Sequence, residues 1–259
     1  EYEVLGDLPE IKIHLMDTRI IYKVLENRKI DKAHASINWG LARRALDYSL
    51  LSSEVGVSEG TIVDLPVPLG DPWYPKETIA AQGAASQFPS KLHVESRSLS
   101  FLGEQGRDRR IARIIKRSME SLGVDIELVD LKPSEFERVI FGERKFDLAL
   151  LPFNIKDSLV SNYLVFHSPE GPESLNFSGY SNSEVDKYLE EARYTRDDNQ
   201  AKYSFSKAMS YIRQDPPGLF LFWLKTPIVY RQSCTGFKFS SNEFFSSLKD
   251  VRCEPSAAN

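Results

Sequence analysis

The sequence predicts an α/β domain. Two observations carry this. Residues 99–153 alternate strand and helix signals in the order β-α-β-α-β, which argues for right-handed crossovers. The last strand of that series, Phe146–Phe153 (FDLALLPF), is an almost unbroken apolar run, the pattern of a strand buried on both faces in a parallel sheet. The length, 259 residues, allows one large domain or two small ones. Hydrophobic residues at 41% and charged residues at 27% are enough to build a core without staples.

The elements follow in order. Ile11–Met16 alternates like a strand, and Ile20–Leu25 reads as a second. Residues 38–51 read as one helix, with Leu41, Ala45 and Tyr48 on one side and Arg43, Arg44 and Asp47 on the other. From Gly56 to Pro75 the prolines at 66, 68, 72 and 75 favour a stiff, extended loop. Leu99–Leu102 is a strand. Arg107–Leu122 is an amphipathic helix with Ile111, Ile114, Ile115, Met119 and Leu122 inward, stopped by Gly123. Val124–Leu131 alternates as a strand, and Pro133–Phe141 is a short helix. Ser181 to Glu184 reads as a capping box with Ser181 as cap, opening a helix with Val185, Tyr188, Leu189 and Ala192 on one face. A second helix buries Ala201, Phe205, Ala208, Met209 and Ile212 and ends at Asp215–Gly218 (DPPG). Leu219–Leu224 and Ile228–Tyr230 read as two strands.

Several function classes find no support. The net charge of −4 gives no footprint for a polyanion partner, so no nucleic acid is expected. No apolar run reaches the roughly 18 residues of a membrane span. The first residue is Glu1 and not Met, so the chain is read as processed or as part of something longer. There is no GxSxG, HExxH or GxxxxGK[ST]. His14, His34, His93 and His167 are far apart and read as ordinary histidines. No catalytic residue, metal ligand or cofactor is expected, and the chain is not read as an enzyme. Cys234 and Cys253 form no zinc pattern; a disulfide and two separate thiols both stay open.

Candidate binding residues lie where α/β loops meet ligands. Arg107, Arg109 and Arg110 sit in the first turn of a helix, where the macrodipole already presents positive charge and free N–H groups seat anions. Arg109 or Arg110 is a candidate carboxylate holder; the alternative is a surface arginine paired with Asp108 or Glu104. The rest of that basic helix face reads as solvated. Asn154, Lys156 and Asp157 follow the buried strand at its carboxyl end, where α/β ligands bind. The alternative is a polar helix start with Asn154 or Asp157 as N-cap. Trp73 and Tyr74 in the proline-rich loop either line a pocket or anchor the loop.

The order of these pieces resembles the extracellular solute-binding proteins of the oligopeptide, dipeptide and nickel type (family 5). The stretches that carry the resemblance are NWGLARRALDYSLL, the loop PVPLGDPWYP, and the middle ARIIKRSMESLGVDIELVDLKPSEFERVIFGERKFDLALLPF. LNFSGYSNSEVDKYLEEAR looks like the signature N-x-x-G-Y-S-N-P-E-V-D, and DNQAKYSFSKAMSYIRQDPPGLFLFW follows it. The similarity runs from about residue 36 to 239. It implies a periplasmic-binding-protein-like lobe with a mixed, mostly parallel sheet flanked by helices. It also implies three parts: a hinge-side strand pair at 1–30, the C-terminal lobe of a two-lobed protein at 31–239, and a tail at 240–259 returning towards an N-terminal lobe. The implied function is capture of a small peptide or related solute by a monomer and delivery to an ABC permease, in the periplasm or anchored outside the membrane. The alternative is the sensor domain of a bacterial transcription regulator. FNIKDSLVSNY lacks the family's G-D-x-x-D-P-like stretch, and Lys156 adds positive charge, which fits an anionic or amide-capped ligand.

Overall fold

The structure, a computed structural model, describes residues 10–29, 37–55, 63–68, 71–75, 94–104, 106–169, 171, 174–239 and 243–254. The chain divides into two compact units, Ile21–Phe222 and the pair of segments Glu1–Ile20 and Trp223–Asn259. Strands β1 (Ile11–Glu26) and β5 (Gly218–Arg231) each contribute residues to both.

The larger unit is built on a five-stranded sheet in the order β3-β2-β4-β1-β5. Strand β2 (Val94–Leu102) pairs in parallel with β3 (Val124–Leu131), Leu99 opposite Leu128, and with β4 (Leu148–Asn154), Leu99 opposite Leu148. Strand β1 runs against β4: Asn27 N donates to Asp147 O near one end, and Lys23 lies over Phe153 near the other. Strand β5 in turn runs against β1, with Glu26 N bonded to Pro217 O and Tyr22 stacked on Phe222. The sheet is therefore mixed, and the expected sheet flanked by helices is borne out.

The helices follow the apolar periodicity. Helices α1 (Trp39–Ala45) and α2 (Tyr48–Val55) replace the single helix expected over 38–51. The break falls at Asp47, whose carboxylate accepts from Leu50 N at 2.8 Å and competes with a continuous helix. Helix α3 (Gly106–Glu120) lies against β2 and β3 and buries Ile111, Ile114, Ile115 and Met119. Each such side chain removed from water contributes ~2 kcal/mol. Its arginines 109, 110, 113 and 117 are exposed, as a solvated face requires. Helix α4 (Pro133–Phe136) runs on into a π-turn at Glu137–Gly142. Phe136, Ile140 and Phe146 cluster with Leu25, Ala149 and Leu151 of the sheet. Helix α5 (Ser158–Phe166) follows β4, and α6 (Ser183–Tyr194) packs on α7 (Asp198–Gln214). The cap of α6 is Asn182 and not Ser181: its side chain accepts from Glu184 N and Val185 N.

In the smaller unit β1 and β5 are antiparallel, with Gln232 N on Glu10 O at 2.7 Å and Thr18 Oγ1 on Leu224 O at 2.7 Å. Each is one continuous strand where the sequence suggested two. Arg19 explains the gap in β1: its φ of 57° places a left-handed residue in the strand and interrupts the alternation without ending it. Strands β6 (Cys234–Thr235) and β7 (Arg252–Cys253) pair antiparallel and are joined by the Cys234–Cys253 disulfide, with the short helix α8 (Phe244–Ser247) between them. His14 stacks on Phe239 within an aromatic cluster that includes Tyr230, Phe237 and Phe244.

Candidate solute-binding site

Carboxyl ends of parallel strands are where open α/β sheets receive ligands. Here those ends are Leu102, Leu131 and Asn154. Gly103, after β2, donates to Leu131 O, and the Asp130 carboxylate fills the space where a Cβ would stand: an atom built there lies 1.1 Å from Asp130 Oδ1. No larger residue fits at 103 without displacing Asp130. That carboxylate is the ion-pair partner of Arg109. The pairing with Asp108 or Glu104 weighed from sequence is replaced by one across the strand ends, because Asp108 points inward. Arg110 is exposed beside Leu50, Arg113 and Arg117.

Asp108 is 1% exposed and accepts a hydrogen bond from Tyr22 Oη at 3.2 Å. Burial raises its carboxyl to about 6, against a lowering by Tyr22 and Arg107. Burial, and then the carboxylate beside it, pushes the Tyr22 hydroxyl up to about 12. From sequence Asp108 is weighed only as a partner for a surface arginine, yet it stands three, four and seven positions before Ile111, Ala112 and Ile115, on the face of the helix that is buried.

After β4, Asn154 and Lys156 are exposed, while Ile155 between them is buried. Asp157 is the N-cap of α5 and accepts from Val160 N at 2.8 Å, so its side chain is engaged in holding the helix start. The proline-rich loop is brought to this same place. Ser158 Oγ donates to Asp71 Oδ2 at 2.9 Å, and the buried Asn162 amide donates to Pro66 O at 3.0 Å. Trp73 is half-buried with its ring edge-on to Phe205 of α7, 5.4 Å between centroids, the geometry of a loop anchor. The segments carrying Trp73 and Asn154 to Asp157 are thus gathered on one edge, with Arg109 and Arg110 at the turn after the neighbouring strand β2.

Lys23 was not singled out from sequence, although a lysine inside the apolar run IIYKVL was a signal. It is 3% exposed. Its Nζ lies 4.3 Å from the centroid of Phe153 and 5.8 Å from that of Phe166. Among the described residues no carboxylate pairs with it, and burial alone drives its ammonium down to about 7.

A recess of about 630 Å³ lies elsewhere. Asn38, Trp39, Arg43, Asp64, Arg213 and Asp215 line it. Asp64 there is shared between Arg213 at 2.9 Å and Arg43 at 4.0 Å. It sits where β1 ends and β5 begins, the edge opposite the carboxyl ends. Its ionic groups are already matched to one another, so it is the weaker candidate.

The LNFSGYSN segment is a built turn. Asn176 is fully buried; its amide donates to His167 O and Tyr180 O, both at 2.8 Å, and its oxygen accepts from Ser178 Oγ and Tyr180 N. Gly179 takes φ +66° to close it. His167 bonds Glu190 and Ser168 O. His34 and His93 lie outside the described residues. Among the described residues no cluster of three or more His, Cys, Asp or Glu is arranged for a metal, and no helix is long and apolar enough to cross a membrane.

No protein-family model matches the chain. The oligopeptide-binding protein AppA of Bacillus subtilis (strain 168) is 22% identical over 218 residues, 75% of this chain and 40% of that protein. The structure of that AppA in complex with a nonapeptide superposes with a TM-score of 0.72 at 18% identity, over 98% of this chain and 54% of AppA. The structure of AppA from Clostridium difficile gives 0.77 at 14% identity, over 98% and 55%. This is the fold of the oligopeptide-type solute-binding proteins. DppA of Helicobacter pylori in complex with the peptide STSA shares it, with a TM-score of 0.67 at 16% identity over 98% of this chain and 51% of DppA. The chain spans about half the length of these solute-binding proteins, and corresponds to roughly the C-terminal part of AppA. The family resemblance read from the sequence is borne out.

Proposed function

We propose that this chain is the C-terminal lobe of a two-lobed solute-binding protein, which captures a peptide or similar small solute and delivers it to the permease of an ABC importer. The observation that carries this reading is the likeness to the AppA structures along nearly the whole chain, with the proline-rich loop and the β4–α5 turn meeting at the carboxyl edge of the sheet. Residues 31–239 form the lobe, 1–30 lie on the hinge side, and 240–259 return towards the N-terminal lobe. Closure of two lobes on a solute involves no bond making, so the protein is not an enzyme. Asn154, Lys156 and Arg110 face the solute. Asp157, Trp73 and Arg109, already engaged by Val160 N, Phe205 and Asp130, hold the edge in shape. The protein works as a monomer outside the cytoplasmic membrane; the Cys234–Cys253 disulfide supports an oxidising compartment and weighs against a cytoplasmic sensor.

Saturation-transfer NMR with a mixture of short peptides, sugars and amino acids tests this, because it reads weak binding by one lobe. Selective saturation of peptide signals is expected. Saturation of sugars alone, or of nothing, would contradict it.

A further inference from the structure

Along β1, residues 21, 23 and 25 share one face of the sheet. Leu25 belongs to the apolar cluster with Ala149 and Leu151 of β4. The next position of β4 on that face is Phe153, and the residue of β1 lying against it is Lys23. An ammonium thus stands where the stripe calls for an apolar side chain. Two aromatic faces offset part of its lost hydration. They accept none of its three N–H groups in the manner of an oxygen, and among the described residues Lys23 Nζ has no carboxylate partner. The charged groups that follow β4 do not pair with it: Asp157 caps α5, and Lys156 is itself cationic. Asp108 is hydrogen-bonded to Tyr22, whose side chain leaves β1 on the opposite face. The nearest edge of the structure is the part-exposed Phe153 and the exposed Asn154, the carboxyl end of β4.

Resting on the solute-binding reading, we infer that Lys23 is the charge anchor of the site and receives a carboxylate of the bound solute over the ring of Phe153. An anion arriving there supplies the counter-ion that the described residues do not. It is held by a cation that burial has made sensitive to its partner, in surroundings that strengthen the pairing over its value in water. The solute class is then acidic: a peptide with a free C-terminus, or one with an acidic side chain. Arg109 does not compete for this role, being committed to Asp130.

The test follows the Lys23 side-chain resonances by NMR in the whole chain, with three probes: N-acetyl-trialanine as the free acid, the same peptide as its C-terminal amide, and N-acetyl-Ala-Glu-Ala amide. The free acid is expected to shift the Lys23 signals, raise their titration midpoint, and bind about tenfold more tightly than the amide. If the Glu-containing amide does so instead, the carboxylate comes from a side chain. In Lys23→Met, which replaces the ammonium with an apolar chain of similar length, the acid and the amide are expected to bind alike. If acid and amide bind the wild type equally and shift Phe153 and Asn154 while leaving Lys23 untouched, the anchor is refuted and the solute-binding reading stands. If no probe shifts any residue of this edge, the reading and the anchor fall together.

Discussion

Lys23 lets one structural feature be weighed in free energy. Its ammonium titrates near 10.5 in an exposed chain and about 7 in the fold, lowered by burial. At about 1.4 kcal/mol per pH unit, that separation is worth about 5 kcal/mol. The sign follows from proton counting. Between about 7 and 10.5 the unfolded chain holds a proton that the folded one has released, so stability rises with pH across that window; below about 7 both states are protonated and the full cost is present. Urea unfolding of the wild type is therefore expected to gain about 2 kcal/mol between pH ~7 and pH ~9. Lys23→Met removes the charge with little change of volume and is expected to be flat across the window and several kcal/mol more stable at its acid end. Equal pH slopes for the two proteins would refute the claim that this ammonium is uncompensated.

Asp108 gives the opposite slope. Its folded value is raised from 3.8 to about 6, so its contribution is complete below about 4 and is lost as pH rises through about 6, by about 3 kcal/mol. Asp108→Asn is expected to abolish that loss in the same unfolding series, and together the two groups give the wild type a stability minimum near pH 6 to 7. Asn176→Ala takes the amide donor from His167 O and Tyr180 O and the acceptor from Ser178 Oγ in a buried turn, at a cost of about 3 kcal/mol in denaturant midpoint experiments. Reduction of Cys234–Cys253, which closes a loop of 19 residues, is expected to weaken the unit that contains it by about 3 kcal/mol, with hydrogen exchange rising at 234–253 and unchanged in α3.

Much of this fold was legible because its core elements keep one period each. FDLALLPF is apolar on both faces and is the middle strand of the five-stranded sheet, and α3 shows its isoleucines every third or fourth position. Legibility failed where a single side chain overrode a pattern. Asp47 split a helix, Arg19 at positive φ hid the continuity of β1, and Asn182 took the cap that Ser181 promised. The candidate edge was placed by the rule for strand ends, and Asn154, Lys156 and Asp157 lie on it. Asp108 was legible too, on the buried stripe of Ile111 and Ile115 with Arg109 turned out beside it. What spacing cannot show is what covers a charged strand residue: Lys23 is buried because β4 and α5 lay Phe153 and Phe166 beside it. Those are contacts between residues distant in sequence, and no local period encodes them.

The most direct measurement of the central claim is amide chemical-shift mapping with the saturating short peptide. The account predicts shifts gathered at the carboxyl edge: Lys23, Phe153 to Ser158, and Gly103 to Arg110. Shifts confined to the recess of Asn38, Arg43, Asp64 and Arg213 would contradict it, as would a spectrum that no peptide changes.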